Sequence, residues 1–145
     1  MESVKELVEK SMSQNIPISE LMIQEECATS GASRQEVWDK MKNNLETMRA
    51  AVKRGLTGDG VYSKTGLTGG EAVLIKKYRQ EHKSLSGDAV MSAVQAAIST
   101  NEVNAAMGVV CATPTAGSAG TLPGILFMLE ERLNLSEEQM IRFLF

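Results

Sequence analysis

The sequence predicts an all-α fold, and three observations carry that prediction. Apolar residues recur at three- and four-residue steps in several segments. No stretch of any length alternates apolar and polar residues with period two. Methionine is common, at nine, against six aromatic residues, a profile that suits helices packed through Leu, Met and Ala rather than a sandwich of sheets.

The elements follow in order. Val4, Leu7, Val8 and Met12 share one helical face, so residues 2–14 read as an amphipathic helix that Pro17 breaks. Ser19 is a candidate cap for a second helix over 19–28, and Gly31 and Ser33 mark a turn. Ser33 and Glu36 form the clearest capping box of the chain. The long helix it opens carries Trp38, Met41, Leu45, Met48 and Val52 on one stripe, has Arg49, Lys53 and Arg54 near its negative end, and is expected to stop at Gly55. Residues 55–70 hold six of the twelve glycines and read as a loop. A helix follows over 71–81, then a polar turn, then an alanine-rich helix from an Asp88 cap to Thr100. Another helix is expected near Glu102, leading into Cys111. The last two run over 119–133, with Pro123 in the first turn, and from a Ser136–Gln139 capping box to the end. Phe143-Leu144-Phe145 closes the sequence without a polar tail, which reads as a helix that further protein or a partner covers.

Composition excludes several functions. With 145 residues and 43% hydrophobic content the chain can build one ordinary core, and no linker divides it. Its net charge is −3, and no basic stripe points to nucleic acid. No apolar run approaches a membrane span and the first residues are not a signal peptide, so the expected location is the cytoplasm. Cys27 and Cys111 read as reduced, partly buried thiols there; with one histidine, they cannot close a four-ligand zinc or iron–sulfur site.

Four polar segments are candidates for chemistry. Thr65-Gly66-Leu67-Thr68-Gly69-Gly70 presents hydroxyls and backbone N–H groups at a helix start, suited either to an anion or to a flexible connection; it lacks the spacing of a P-loop. Lys83-Ser84-Leu85-Ser86 offers one cation and two hydroxyls, or simply a solvated turn. His82, flanked by Glu81 and Lys83, reads as an exposed residue rather than a base. Asn101 and Asn104 can share a helix face; Asn101 suits a cap, whereas Asn104 precedes a small-residue run and should want a defined partner. In Thr113-Pro114-Thr115-Ala116-Gly117-Ser118-Ala119-Gly120, Thr115 and Ser118 can cap a helix start while Gly117 and Gly120 permit close approach. A tight helix–helix corner and an anion site are both open for this segment.

Taken together, Asn101-Glu102-Val103-Asn104-Ala105-Ala106-Met107-Gly108, Cys111 through Gly120, Thr65 through Gly70, Lys83 through Gly87 and the closing Glu138 through Phe145 resemble, in order, the α chains of iron–sulfur-dependent L-serine dehydratases. The resemblance covers essentially the whole chain. It implies an L-serine ammonia-lyase forming pyruvate and ammonia, with a [4Fe–4S] cluster as Lewis acid and a β chain as partner. It also implies that residues 1–145 are the N-terminal part of the catalytic domain. The cluster cysteines of the family lie in a C-terminal half absent here, and its proposed histidine base lies in the β chain. This chain would then supply substrate-cradling loops and be inactive alone. Carried over by position, Thr65, Thr68, Lys83, Ser84, Ser86, Asn104, Thr113, Thr115 and Ser118 become candidates for lining the serine site, with Lys83 or a pair of loop N–H groups for the carboxylate and Asn104 for orientation. The competing reading is a non-catalytic helical interaction module that binds a small anion.

Overall fold

The computed structural model describes residues 3–145, and among them it contains seven α-helices, one short 3-10 turn and no strand. The helices are α1 (Val4–Gln14), α2 (Ile18–Ser30), α3 (Arg34–Thr57), α4 (Glu71–Glu81), α5 (Asp88–Ala105), α6 (Thr121–Leu133) and α7 (Glu137–Leu144), with the 3-10 turn at Ala116–Ser118. The all-α expectation holds. None of the described helices is long and apolar enough to cross a membrane. Two compact units are present: Met1–Leu45 with Ser136–Phe145, and Glu46–Leu135.

In the first unit, local capping sets the helix starts. Ser3 accepts the Glu6 N–H, and the Ser33–Glu36 and Ser136–Gln139 boxes both form as expected. Helix α2 begins one residue before Ser19: the carbonyl of Pro17, not a serine hydroxyl, takes the first N–H groups. The apolar stripe expected on α1 buries nothing, and Val4 and Met12 are each 77% exposed. Trp38 stacks on Phe145, with the Arg34 and Arg142 guanidinium groups over the same indole and Glu20 pairing with both arginines. Met140 and Ile141 of α7 are buried.

In the second unit α5 packs against α4 and α6. Its inner face carries Ser92, Gln95, Ala96, Ser99, Thr100, Glu102 and Val103, at helical steps and mostly polar. Ser99 and Thr100 return their hydroxyls to the carbonyls of Gln95 and Ala96, so their burial leaves no donor unpaired. Arg79, only 14% exposed, reaches Asp88, Gln95 and Glu131 and so ties α4 to both neighbours. The Ser92 hydroxyl donates to Glu131 on the same seam.

Three expected boundaries move. Helix α3 runs through Gly55 to Thr57, because Gly55 is there for contact: a Cβ would stand 2.5 Å from the Ser99 backbone. Gly58, at φ +79°, takes the turn instead. Gly87 caps α5, while Asp88 lies inside its first turn with its carboxylate on Arg79. Helix α5 continues through Asn101 and Glu102 to Ala105, so Asn101 is not a cap and no separate helix leads to Cys111. Pro123 sits in the first turn of α6 as expected, and that helix starts at Thr121.

Helix α6 approaches α5 through glycine. A Cβ at Gly124 would stand 2.7 Å from the Ala93 carbonyl oxygen, and one at Gly120 would overlap the Ala97 carbonyl. Gly124→Ala should therefore lower stability by about 1–2 kcal/mol, the overpacking cost exceeding the gain in helix propensity. Urea unfolding monitored by circular dichroism checks this, with a lower midpoint at unchanged slope as the expected result.

Candidate functional site

The glycine-rich segment before α4 is held in place. Val61 is fully buried in a cluster with Ala51 and Val103. The Ser63 N–H donates to the Thr68 carbonyl at 2.9 Å, the Thr68 N–H donates to the Ser63 hydroxyl, and that hydroxyl lies 3.1 Å from Thr65 Oγ1. Gly69, at φ +138°, lies so close to Tyr62 that a Cβ would stand 2.6 Å from its Cα. The bends of this segment need glycine, and its polar groups are largely spent on one another.

The start of α4 lacks a cap of its own. Gly70 precedes it and offers no side chain. Glu102 of α5 fills the role: its Oε1 accepts the N–H of Glu71 at 2.5 Å and that of Ala72 at 3.2 Å. Glu102 is 3% exposed, and its second oxygen, Oε2, is buried without a hydrogen-bond donor. The Glu71 carboxyl lies beside it and accepts the Gly69 N–H at 2.8 Å. Burial, then the neighbouring Glu71 carboxyl, push Glu102 up to about 7, while the same contact and local backbone N–H groups hold Glu71 below its usual range.

The segment after Cys111 is equally self-contained. Thr115 and Ser118 form a reciprocal capping box around the 3-10 turn, and the Ser118 hydroxyl donates to the Thr113 carbonyl at 2.9 Å. The Thr113 hydroxyl donates back to the Ser118 carbonyl. Asn104 finds the defined partner expected of it: its Nδ2 donates to the Ala116 carbonyl at 3.0 Å, fastening the turn to α5. Gly120 is consumed by packing against α5, whereas a Cβ at Gly117 would meet only Thr115 Oγ1, at 3.9 Å. The helix–helix corner thus accounts for Gly120 and leaves Gly117 free to face a ligand.

These pieces converge on one cleft of about 390 Å³, lined by Thr68, Glu71, Asn101, Glu102, Asn104 and Gly117, with Ile98 and Ala105 as its apolar wall. Of the nine candidate residues, Thr68 and Asn104 line it. Thr65 is joined to this group through the Ser63–Thr68 bonds, and Thr113, Thr115 and Ser118 through the turn that Asn104 holds. Lys83, Ser84 and Ser86 are elsewhere. Lys83 and Ser84 line a second cleft of about 370 Å³ with Arg79, His82 and Gly87, and the Ser84 and Ser86 hydroxyls bond each other at 2.8 Å. This second cleft sits at the far end of α4, whose eleven residues span about 16 Å. His82 is exposed and stacks on Tyr78, as a surface residue.

Glu102 and Glu71 were not among the residues the sequence singled out. The signal lay in register: read as one helix, α5 puts Gln95, Ser99 and Glu102 on its buried face. Splitting the helix near Thr100 hid this. Among the described residues no group of three or more His, Cys, Asp or Glu side chains converges as a metal site. Cys27 and Cys111 lie in different units and are not joined in a disulfide, and burial raises the Cys111 thiol.

Comparison with known proteins places the chain. Residues 13–145 match the family described as "Serine dehydratase alpha chain". The "Probable L-serine dehydratase, alpha chain" of Bacillus subtilis (strain 168) is 52% identical over 143 residues, covering 99% of this chain and 47% of that protein. The "L-serine dehydratase, alpha chain" of Peptoniphilus asaccharolyticus is 31% identical over 134 residues, covering 92% of this chain and 46% of that one. The chain thus spans about half the length of these relatives. No solved structure gives a significant match.

Two stability outcomes follow from the Glu102 geometry. Glu102→Ala removes the acceptor for two α4 N–H groups and should cost about 1–3 kcal/mol, whereas Glu102→Gln keeps an acceptor and should cost less. Because Glu102 is raised from 4.5 to about 7 in the folded state, its contribution is fully present below pH 4.5 and is lost as pH rises through about 7. Glu71, held low, acts with the opposite sign at lower pH. Unfolding free energies measured from pH 5 to pH 8 should fall in the wild type and stay flatter in Glu102→Gln.

Proposed function

This chain belongs to the serine dehydratase alpha-chain family, and we propose that it is the substrate-cradling, N-terminal part of an L-serine ammonia-lyase that forms pyruvate and ammonia. The observation that carries the reading is the convergence of three family-like segments, from Thr65–Gly70, Asn101–Gly108 and Thr113–Gly120, on one cleft. The family's [4Fe–4S] cluster does not fit the donors among the described residues, where no group of three or more His, Cys, Asp or Glu side chains converges. Its ligands belong to the C-terminal half of the α chain, which with the β chain would complete the enzyme in the cytoplasm.

What this chain contributes is positioning. Thr68 and Asn104 face the cleft as polar contacts, and the backbone around Gly117 is open to close approach. The Glu102 cap and the Ser63–Thr68 bonds hold these groups before substrate arrives, so little ordering remains to be done on binding. Glu71 and Glu102 make the cleft acidic, which disfavours a lone anion and argues against a simple anion-binding module. A zwitterionic amino acid carries the complementary ammonium.

The decisive assay is serine-dependent pyruvate formation by this chain, co-expressed with the C-terminal α half and a β chain and reconstituted anaerobically with iron and sulfide. Activity should require this chain; no activity, despite a well-formed cluster in the partner half, would sink the reading. In the active assembly Asn104→Ala should lower kcat/KM for serine by about tenfold or more, as expected for loss of a polar contact that orients substrate. Lys83→Ala tests the other end of α4: a raised serine KM there, with Asn104→Ala silent, would move the site to the second cleft.

A further inference from the structure

We propose that the Glu102 carboxyl, backed by Glu71, is the subsite that receives the α-ammonium group of the substrate amino acid. This rests on the lyase reading above and specifies it.

Capping alone does not account for Glu102. A helix start needs an acceptor, and a hydroxyl or amide oxygen supplies one without taking a carboxylate out of water. Here Oε1 satisfies both α4 N–H groups. Oε2 is left over, buried and without a donor. An unmatched carboxylate oxygen costs free energy unless something donates to it. The neighbouring group is a second carboxyl, that of Glu71, and two carboxylates cannot satisfy each other without a proton between them.

The surroundings select the occupant. Glu71 and Glu102 are the titratable groups among the residues lining the cleft, and no lysine or arginine lines it. Asn101, Asn104 and Thr68 add neutral polar groups around the pair. An alkylammonium carries three N–H donors and a positive charge, so it can donate to the orphaned oxygen and relieve the repulsion between the carboxyls. Below about pH 7 a proton held by the free pair does this work. When the ammonium enters, that proton leaves to solvent, and the carboxyl pair changes from one negative charge to two against one positive charge on the ligand. No covalent bond is made or broken.

The test uses the active assembly, with L-serine as substrate and 3-hydroxypropionate, which lacks the amine, as competitive inhibitor. Glu102→Gln keeps the α4 cap and removes the charge. It should raise the serine KM by about tenfold or more, the loss expected for a charge-assisted hydrogen bond, and leave the 3-hydroxypropionate inhibition constant within about twofold. Proton release on serine binding, read with a pH indicator below pH 7, where the free pair is protonated, should be present in the wild type and absent in the variant. If the KM and the inhibition constant rise together, or if no proton is released, Glu102 is a cap only and the proposal fails while the lyase reading stands. If the complete assembly forms no pyruvate, the lyase reading fails and the proposal falls with it.

Discussion

Helix α4 begins after two glycines and has no side chain of its own to receive its first N–H groups. A carboxylate thirty-one positions further along, on α5, receives them instead. This single contact between distant parts of the chain has three effects at once. It fixes the start of α4 against α5, it fixes where the Thr65–Gly70 segment must end, and it brings Glu71 beside Glu102. The cleft exists because those three things happen in one place. Without the Glu102 acceptor the first turn of α4 would seek water, and the glycine segment would lose the anchor on its C-terminal side.

The rest of the second unit supports that contact through close packing and buried polar pairs rather than through large apolar side chains. Gly55 admits the Ser99 backbone to α3, and Gly120 and Gly124 admit the α5 carbonyls to α6. With helices this close, α5 can bury a face made mostly of Ser, Thr, Gln and Ala. Arg79 then joins Asp88, Gln95 and Glu131 across the same helices. Such networks stabilise only when every member is satisfied. Among the described residues the buried side-chain atom left without a partner is Glu102 Oε2, outside the Arg79 network and in the cleft residue that also caps α4.

Much of this was legible in the sequence, and the failures share one cause. The all-α class, the Ser33–Glu36 and Ser136–Gln139 caps and the place of Pro123 depend on neighbours within one turn, and they stand. Gly55 was read as a terminator and Asp88 as a cap because local propensity favours those roles; packing against Ser99 and pairing with Arg79 override it. Asn104 could be singled out because a polar side chain beside Ala-Ala-Met-Gly implies a partner, though not that the partner would be the Ala116 carbonyl. Glu102 was missed because its meaning depends on α4, which the local pattern around it does not contain.

The two polar ends of α4 cannot both serve one three-carbon amino acid. About 16 Å of helix separates the Thr68–Glu102–Asn104 cleft from Lys83, Ser84 and Ser86, and the two clefts share no lining residue. A cation such as Lys83 suits a carboxylate, but at the far end its side chain is exposed and the serine hydroxyls beside it already pair with each other. At the near end the unmet demand is for a donor, and it belongs to a buried carboxylate oxygen of a residue that lines the cleft. Solvation removes most of the driving force for binding at an exposed lysine, whereas a desolvated carboxylate gains from any cation that replaces its proton. The same reasoning ranks the ends for the proposed serine site: the near end suits the amine, and the carboxylate would be left to backbone N–H groups of the loops or to surfaces outside residues 1–145.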